Sequence, residues 1–254
     1  MIALFLLPLQ TKAETAEEKG LLIAQKADDI DSGFQDFRAE MQMILVNKHG
    51  QTSRRAIRIQ TKEVNKDGDK SLSVFDNPRD VKGTAFLTYS HKVGDDDQWL
   101  YLPALKRVKR ISSSNKSGSF MGSEFAYEDI SSQEVEKYTY KWLKDEAYTG
   151  QDCFVFERYP VDEENSGYIR QVVWMDKKEY RALKIEYYDR KNSLLKTFTA
   201  SKYQKYLDRY WRAHQMDMVN HQNGKSTQLL WSDFDFKTGL KDNDFNKNSL
   251  KRAR

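Results

Sequence analysis

Residues 37–64 read FRAEMQMILVNKHGQTSRRAIRIQTKEV, and the period of this stretch decides the fold. Phe37, Ala39, Met41, Met43 and Leu45 alternate with Arg38, Glu40 and Gln42. Side chains of an extended chain point alternately to opposite faces, so a period of two predicts a strand with one buried and one wetted face. NKHGQ (47–51) has the glycine and polar residues of a hairpin turn, and SRRAIRIQTKEV returns as a second strand.

The same period runs outward from this hairpin to the C-terminus. SLSVFD (71–76), TAFLTYSHKV (84–93), DQWLYLP (97–103) and KRVKRIS (106–112) follow at short spacing. The hairpin about Thr149-Gly150, YIRQVVWMD (168–176), RALKIEYYD (181–189) and three further runs to residue 237 continue the pattern. On the other side, ETAEEKGLLIAQKADDIDSGF (14–34) places Leu22, Ile23, Ala27 and Ile30 at helical spacing, with acids in the first turn. Consecutive hairpins imply an antiparallel sheet, and one this wide has to curl to bury its apolar face. The expectation is a mainly β (α+β) chain: one curved or barrel-like antiparallel sheet of ten or eleven strands. An N-terminal helix and an irregular helical or loop insert near 112–136 would cover it. No linker divides residues 14–254, which are read as one domain.

Composition narrows the function. The chain has 254 residues, with 42 Lys and Arg against 38 Asp and Glu, a net charge of +4 spread along its length. A nucleic-acid binder concentrates such a surplus and adds stacking aromatics, so no nucleic-acid partner is expected. MIALFLLPLQTKA (1–13) has an apolar core and a Thr-x-Ala end, the pattern of a cleaved signal peptide, although no basic residue precedes Ile2. A buried strand is the alternative. Cys153 is the only cysteine, which excludes an internal disulfide, and its strand-like context points to a small core residue. An exported chain without an anchoring cysteine suggests the periplasm of a Gram-negative cell. A transmembrane barrel fits poorly, because SRRAIRIQTK and KRVKRIS carry charge where a lipid-facing band would be.

No catalytic or metal motif stands out. His49, His91, His214 and His221 have no close ligand spacing, and there is no nucleophile elbow, phosphate loop or dinucleotide fingerprint. No metal, cofactor or catalytic residue is expected. The acids Glu124, Glu128 and Asp129 lie in GSFMGSEFAYEDI (118–130), which reads either as a catalytic loop or as a greasy cover. The cover reading has Gly118 and Gly122 bend the chain while Phe120, Met121 and Phe125 tuck toward a barrel mouth as a flap, with a rigid plug as the other form. Candidate cavity residues are Met41, Met43, Leu45, Leu72, Val74 and Leu87, together with Tyr89, Trp99, Tyr101, Met216 and Met218. Methionines and aromatics adapt to flexible apolar ligands, but an ordinary core uses the same residues. Lys106, Arg107, Lys109 and Arg110 form a charged strand. It is either an edge protected against aggregation or a contact for an anionic headgroup or acidic partner.

Residues 75–130, FDNPRDVKGTAFLTYSHKVGDDDQWLYLPALKRVKRISSSNKSGSFMGSEFAYEDI, together with the closing FDFKTGLKDNDFNKNSLKR, resemble the outer-membrane lipoprotein-sorting protein family, relatives of the carriers LolA and LolB. The resemblance covers essentially all of residues 14–254. It implies a half-open antiparallel β-barrel of about eleven strands with an apolar cavity for lipid or lipoprotein acyl chains, a periplasmic site of action and no enzymatic activity. It also implies an RND-type membrane transporter as partner and an outer-membrane acceptor.

Overall fold

The computed structural model describes residues 13–251. The signal-like segment, apart from Ala13, lies outside the described residues.

Helix α1 (Ala16–Asp31) opens the fold, and its start is set by a capping box. Thr15 Oγ1 accepts from the Glu18 amide at 3.1 Å, and the Thr15 amide donates to the Glu18 carboxylate at 2.9 Å. Strands β1 (Asp36–Val46), β2 (Thr52–Lys62), β3 (Lys70–Asn77), β4 (Ala85–Tyr89), β5 (Asp97–Leu102) and β6 (Arg107–Ile111) follow as a meander. After the insert come β7 (Tyr138–Tyr148), β8 (Gln151–Pro160), β9 (Arg170–Asp176) and β10 (Ala182–Tyr188). The series ends with β11 (Leu194–Tyr206), β12 (Tyr210–Asn220) and β13 (Ser226–Phe236).

The thirteen strands of the described residues form one antiparallel sheet in the order β6-β5-β4-β3-β2-β1-β13-β12-β11-β10-β9-β8-β7. The half-open barrel is therefore present, with thirteen strands where about eleven are expected. Every neighbour is consecutive in sequence except β1 and β13, which zip the two halves together with Met41 opposite Trp231 and Met43 opposite Leu229. Strands β6 and β7 are left as the two free edges, and residues 112–137 cross between them.

The period of two sorts the side chains. Phe37, Met41, Ile57, Ile59, Phe156, Val173, Ile185 and Leu229 belong to one core that fills the concave side and receives Ile23 and Ala24 of α1. A second core lies on the convex face, where Leu72, Val74, Leu87 and Trp99, flanked by Tyr89 and Tyr101, pack under Leu240, Phe245 and Leu250 of the C-terminal segment. This corrects the expectation that these six strand residues line a cavity. On the concave side of β3 and β4, Ser71, Ser73 and Thr88 face the open space, while Phe75 and Phe86 join the core. Period alone cannot say which set points inward, and here the larger apolar set is covered from outside. Cys153 is fully buried on the convex face with Val155 and Trp174, as its strand context predicts.

Gly20 sets how closely α1 can approach the sheet. A Cβ there would lie 2.9 Å from the backbone nitrogens of Lys141 and Trp142 in β7. Gly20→Ala gains up to about 1 kcal/mol of helix propensity but incurs about 1–3 kcal/mol of overpacking against an unyielding strand. Its midpoint in urea should fall with an unchanged slope, whereas Lys26→Ala on the exposed side of α1 should leave the midpoint in place.

Candidate functional site: a half-open cavity with a polar rim

Between the concave face and α1 lies a cavity of about 1140 Å³. One wall is apolar, built from Phe156, Val173, Ile185, Phe198, Met216 and Leu229. The facing wall carries hydroxyls: Thr61 of β2, Ser71 and Ser73 of β3, Thr88 of β4, and Ser90 just after it. At the end where α1 gives way to β1 the lining turns acidic, with Asp28, Asp31, Glu63, Asp69 and Glu134 beside Lys92 and Arg212. Glu63 caps the α1–β1 turn by accepting from the Gly33 amide at 2.6 Å and the Gln35 amide at 2.5 Å. Arg212 is paired with Asp31. Burial, reinforced by the Glu134, Glu63 and Asp31 carboxylates, pushes Asp69 up to about 7. Burial also raises Asp28 and Glu134.

The insert forms the inner cover. Its tip is a tight loop closed by a bridge between Ser119 and Ala126, with the Phe120 amide donating to the Phe125 carbonyl at 2.7 Å. Phe120 and Phe125 are 1% and 4% exposed and both line the cavity. Phe120 packs on Phe86 and Phe75, and Phe125 on Phe198. Met121 and Gly122 adopt left-handed backbone conformations that turn the loop, and the Met121 carbonyl accepts from the Arg55 guanidinium. Gly118 does not need such a conformation.

The three acids of the loop act as anchors. The Glu124 carboxylate accepts from Asn220 at 2.7 Å, and its amide donates to Thr227 at 2.9 Å. Glu128 accepts from Ser166 Oγ at 2.8 Å and the Gly167 amide at 2.9 Å. Asp129 accepts from the Ala126 amide at 2.6 Å, from Tyr168 Oη at 3.0 Å and from Lys196 Nζ at 2.7 Å. The Lys196 and Asp129 side chains are 5% and 6% exposed, and the ammonium sits near the Tyr168 and Tyr187 rings. Burial and the Asp129 charge push Glu128 up to about 7. Swinging the loop out as a flap would therefore mean breaking a buried ion pair.

Of the other sequence candidates, Met41 and Met216 lie on the cavity wall. Met43 and Met218 are fully buried in the same core, with Leu45 packed against it, but none of the three reaches the cavity. Lys106, Arg107, Lys109 and Arg110 are exposed on and beside the edge strand β6, and Arg110 pairs with Asp97 at 2.5 Å. Sequence reasoning overlooked Lys196, the hydroxyl wall and the acidic rim. Lys196 left a signal: it shares a strand face with Phe198 and Ala200, and a lysine on an apolar face requires a buried partner.

A half-open antiparallel barrel, covered by a helix and a plug around an amphipathic cavity, is the class that fold and site define. A family model described as "Uncharacterized protein" matches residues 67–252. A Vibrio parahaemolyticus domain described as an outer membrane lipoprotein-sorting protein domain superposes with a TM-score of 0.91 at 63% identity, covering 93% of this chain and 100% of that one. A DUF1329 family protein from Desulfovibrio piger follows at a TM-score of 0.87 and 34% identity, with 93% and 99% coverage. A LolA superfamily protein from Nitrosomonas europaea shares the fold, with a TM-score of 0.73, 22% identity and 93% and 100% coverage. No curated protein matches the sequence. The chain belongs to the outer membrane lipoprotein-sorting protein family and has the LolA-like fold.

Two measurements test the anchors. Lys196→Met strands a buried carboxylate and should destabilise the fold by about 3–5 kcal/mol in urea, and Lys196→Met with Asp129→Leu should recover much of that loss. Glu128 and Asp69 hold their protons up to about 7 in the folded chain, against ordinary values of 4.5 and 3.8. Their support of the fold is thus full below the unfolded values and is lost as pH rises through about 7. The urea midpoint should climb between about pH 8 and about pH 5.5, and Glu128→Gln with Asp69→Asn should make that climb shallower.

Proposed function

We propose that the protein is a non-enzymatic periplasmic carrier that shelters the acyl chains of a lipid or lipoprotein in the cavity behind α1. The observation that carries this reading is a cavity of about 1140 Å³ with a continuous apolar wall, above the usual range of small-molecule sites. Exposing acyl chains to water costs about 0.8 kcal/mol per CH₂, so an enclosed apolar wall is what transfer across an aqueous space requires. Phe120, Met121 and Phe125 form the inner cover of this space, with Met41 and Met216 adapting its wall. Membership in a lipoprotein-sorting family supports the reading. It also supports export by residues 1–13, an RND-type inner-membrane transporter as donor and an outer-membrane acceptor. The acids of the insert are engaged in anchoring contacts, which favours a carrier over an envelope lipid-acting enzyme.

The exposed basic edge at Lys106, Arg107 and Lys109 favours a second reading, an accessory module that docks on the transporter or a membrane and binds no lipid. The two separate experimentally. Mass spectrometry of gently purified protein should find a bound amphiphile, and Met216→Glu should weaken a fluorescent fatty-acyl probe by about tenfold or more. Charge reversal at Lys106, Arg107, Lys109 and Arg110 should leave that affinity unchanged while reducing association with acidic vesicles or the transporter. A chain that takes up no acyl probe, yet loses association on charge reversal, is the accessory module.

A further inference from the structure

We infer that the cargo carries a hydrogen-bond-donating head group without negative charge, seated at the acidic end of the cavity between Asp69, Glu134 and Thr88. The inference rests on the carrier reading and names the class of molecule it takes.

Three observations converge on this corner. The lining combines large apolar side chains with the hydroxyls of Thr61, Ser71, Ser73, Thr88 and Ser90, so it matches an amphiphile with its polar end inside. Thr88 is only 1% exposed and lines the cavity, yet its hydroxyl has no partner among the described residues. A buried hydroxyl is nearly always paired, so one aimed into a cavity marks where a ligand's polar atom belongs. Thr88 stands opposite Ser71 in the β3–β4 pairing, two residues from Asp69, and the Ser90 amide donates to the Asp69 carbonyl at 2.9 Å. The unpaired hydroxyl and the carboxylates therefore share one corner.

Charge decides the kind of head group. Asp28, Asp31, Glu63, Asp67, Asp69 and Glu134 face this end against Lys62, Lys66, Lys92 and Arg212, of which Lys62 is already paired with Asp242 and Arg212 with Asp31. A phosphate or carboxylate placed here would add negative charge beside carboxylates that already outnumber the bases. An ammonium or a polyhydroxyl group would instead donate to them and offset the burial and the repulsion that together raise Asp69. The exposed basic cluster of Arg107, Lys109 and Arg110 lies elsewhere, on β6.

The test uses the full chain near neutral pH and three amphiphiles with the same twelve-carbon tail: dodecylamine, monolaurin and dodecyl phosphate. Each competes with a fluorescent acyl probe. Dodecylamine, monolaurin or both should displace the probe at concentrations about tenfold lower than dodecyl phosphate. A preference for the amine identifies an ammonium head group, and a preference for monolaurin a hydroxylated one. Asp69→Asn with Glu134→Gln should reduce the amine's advantage to about threefold or less, and Thr88→Val should weaken monolaurin several-fold. If dodecyl phosphate competes as well as the other two, the inference is overturned while the carrier reading stands. If none of the three displaces a probe that binds, the inference falls, and if the probe itself does not bind, both fall. Should a variant fail to fold, the ranking of the three amphiphiles on the unaltered chain still decides.

Discussion

The buried ion pair between Asp129 and Lys196 is the constraint on which the rest of the architecture depends. The sheet has two free edges, and only the insert spans them. An apolar plug alone could slide, because hydrophobic contact has no direction. A carboxylate and an ammonium held at 2.7 Å, with both side chains nearly out of water, fix one position and penalise every other. Tyr168 completes the carboxylate's contacts, and the Tyr168 and Tyr187 rings flank the ammonium. Phe120 and Phe125 can then sit against Phe86 and Phe198 at one end of a space that stays open beyond them.

That open space follows from how the two faces of the sheet are divided. On β3 and β4 Leu72, Val74 and Leu87 point outward, and the C-terminal segment covers them with Leu240, Phe245 and Leu250. The inward positions that face the cavity are Ser71, Ser73 and Thr88, which are too small to fill it, while Phe75 and Phe86 on the same face pack under Phe120. On β8 to β13 the inward set includes Phe156, Ile185, Phe198 and Leu229. The cavity is therefore amphipathic because β3 and β4 present hydroxyls to it where β8 to β13 present large apolar side chains. Exchanging the faces of β3 and β4 would close the cavity and expose serines under the C-terminal segment.

This division also explains how much was legible in the sequence. Alternation in residues 37–64 and the turns between the later runs are local signals, and they identified the hairpins, the antiparallel sheet and the initial helix. The family resemblance of residues 75–130 pointed to the half-open barrel. Which face is concave is a long-range fact, settled by the pairing of β1 with β13 and by the segment after residue 237 folding back. Met41 and Met216 were therefore placed on the cavity wall, whereas Leu72, Val74, Leu87, Tyr89, Trp99 and Tyr101 were assigned to the wrong side. The acids of the insert were noticed but their partners were not, because Lys196, Ser166 and Asn220 lie far along the chain.

The two free edges complete the argument, because an open barrel must keep its edges from pairing with other chains. Strand β6 meets this need with Arg107, Lys109 and Arg110, which make a poor template for a further strand. Strand β7 meets it differently: α1 lies along it closely enough that Gly20 can carry no side chain, and Lys19 stacks 3.5 Å from the centre of the Trp142 ring. Ion pairs from Lys137 to Asp96 and from Lys116 to Asp162 tie the seam region together on either side of the insert. With the seam held and both edges blocked, the end bounded by α1 and the β2–β3 turn is where the lining turns from apolar and hydroxylic to charged. Whatever occupies the cavity therefore meets carboxylates at that end, and its polar part has to be compatible with them.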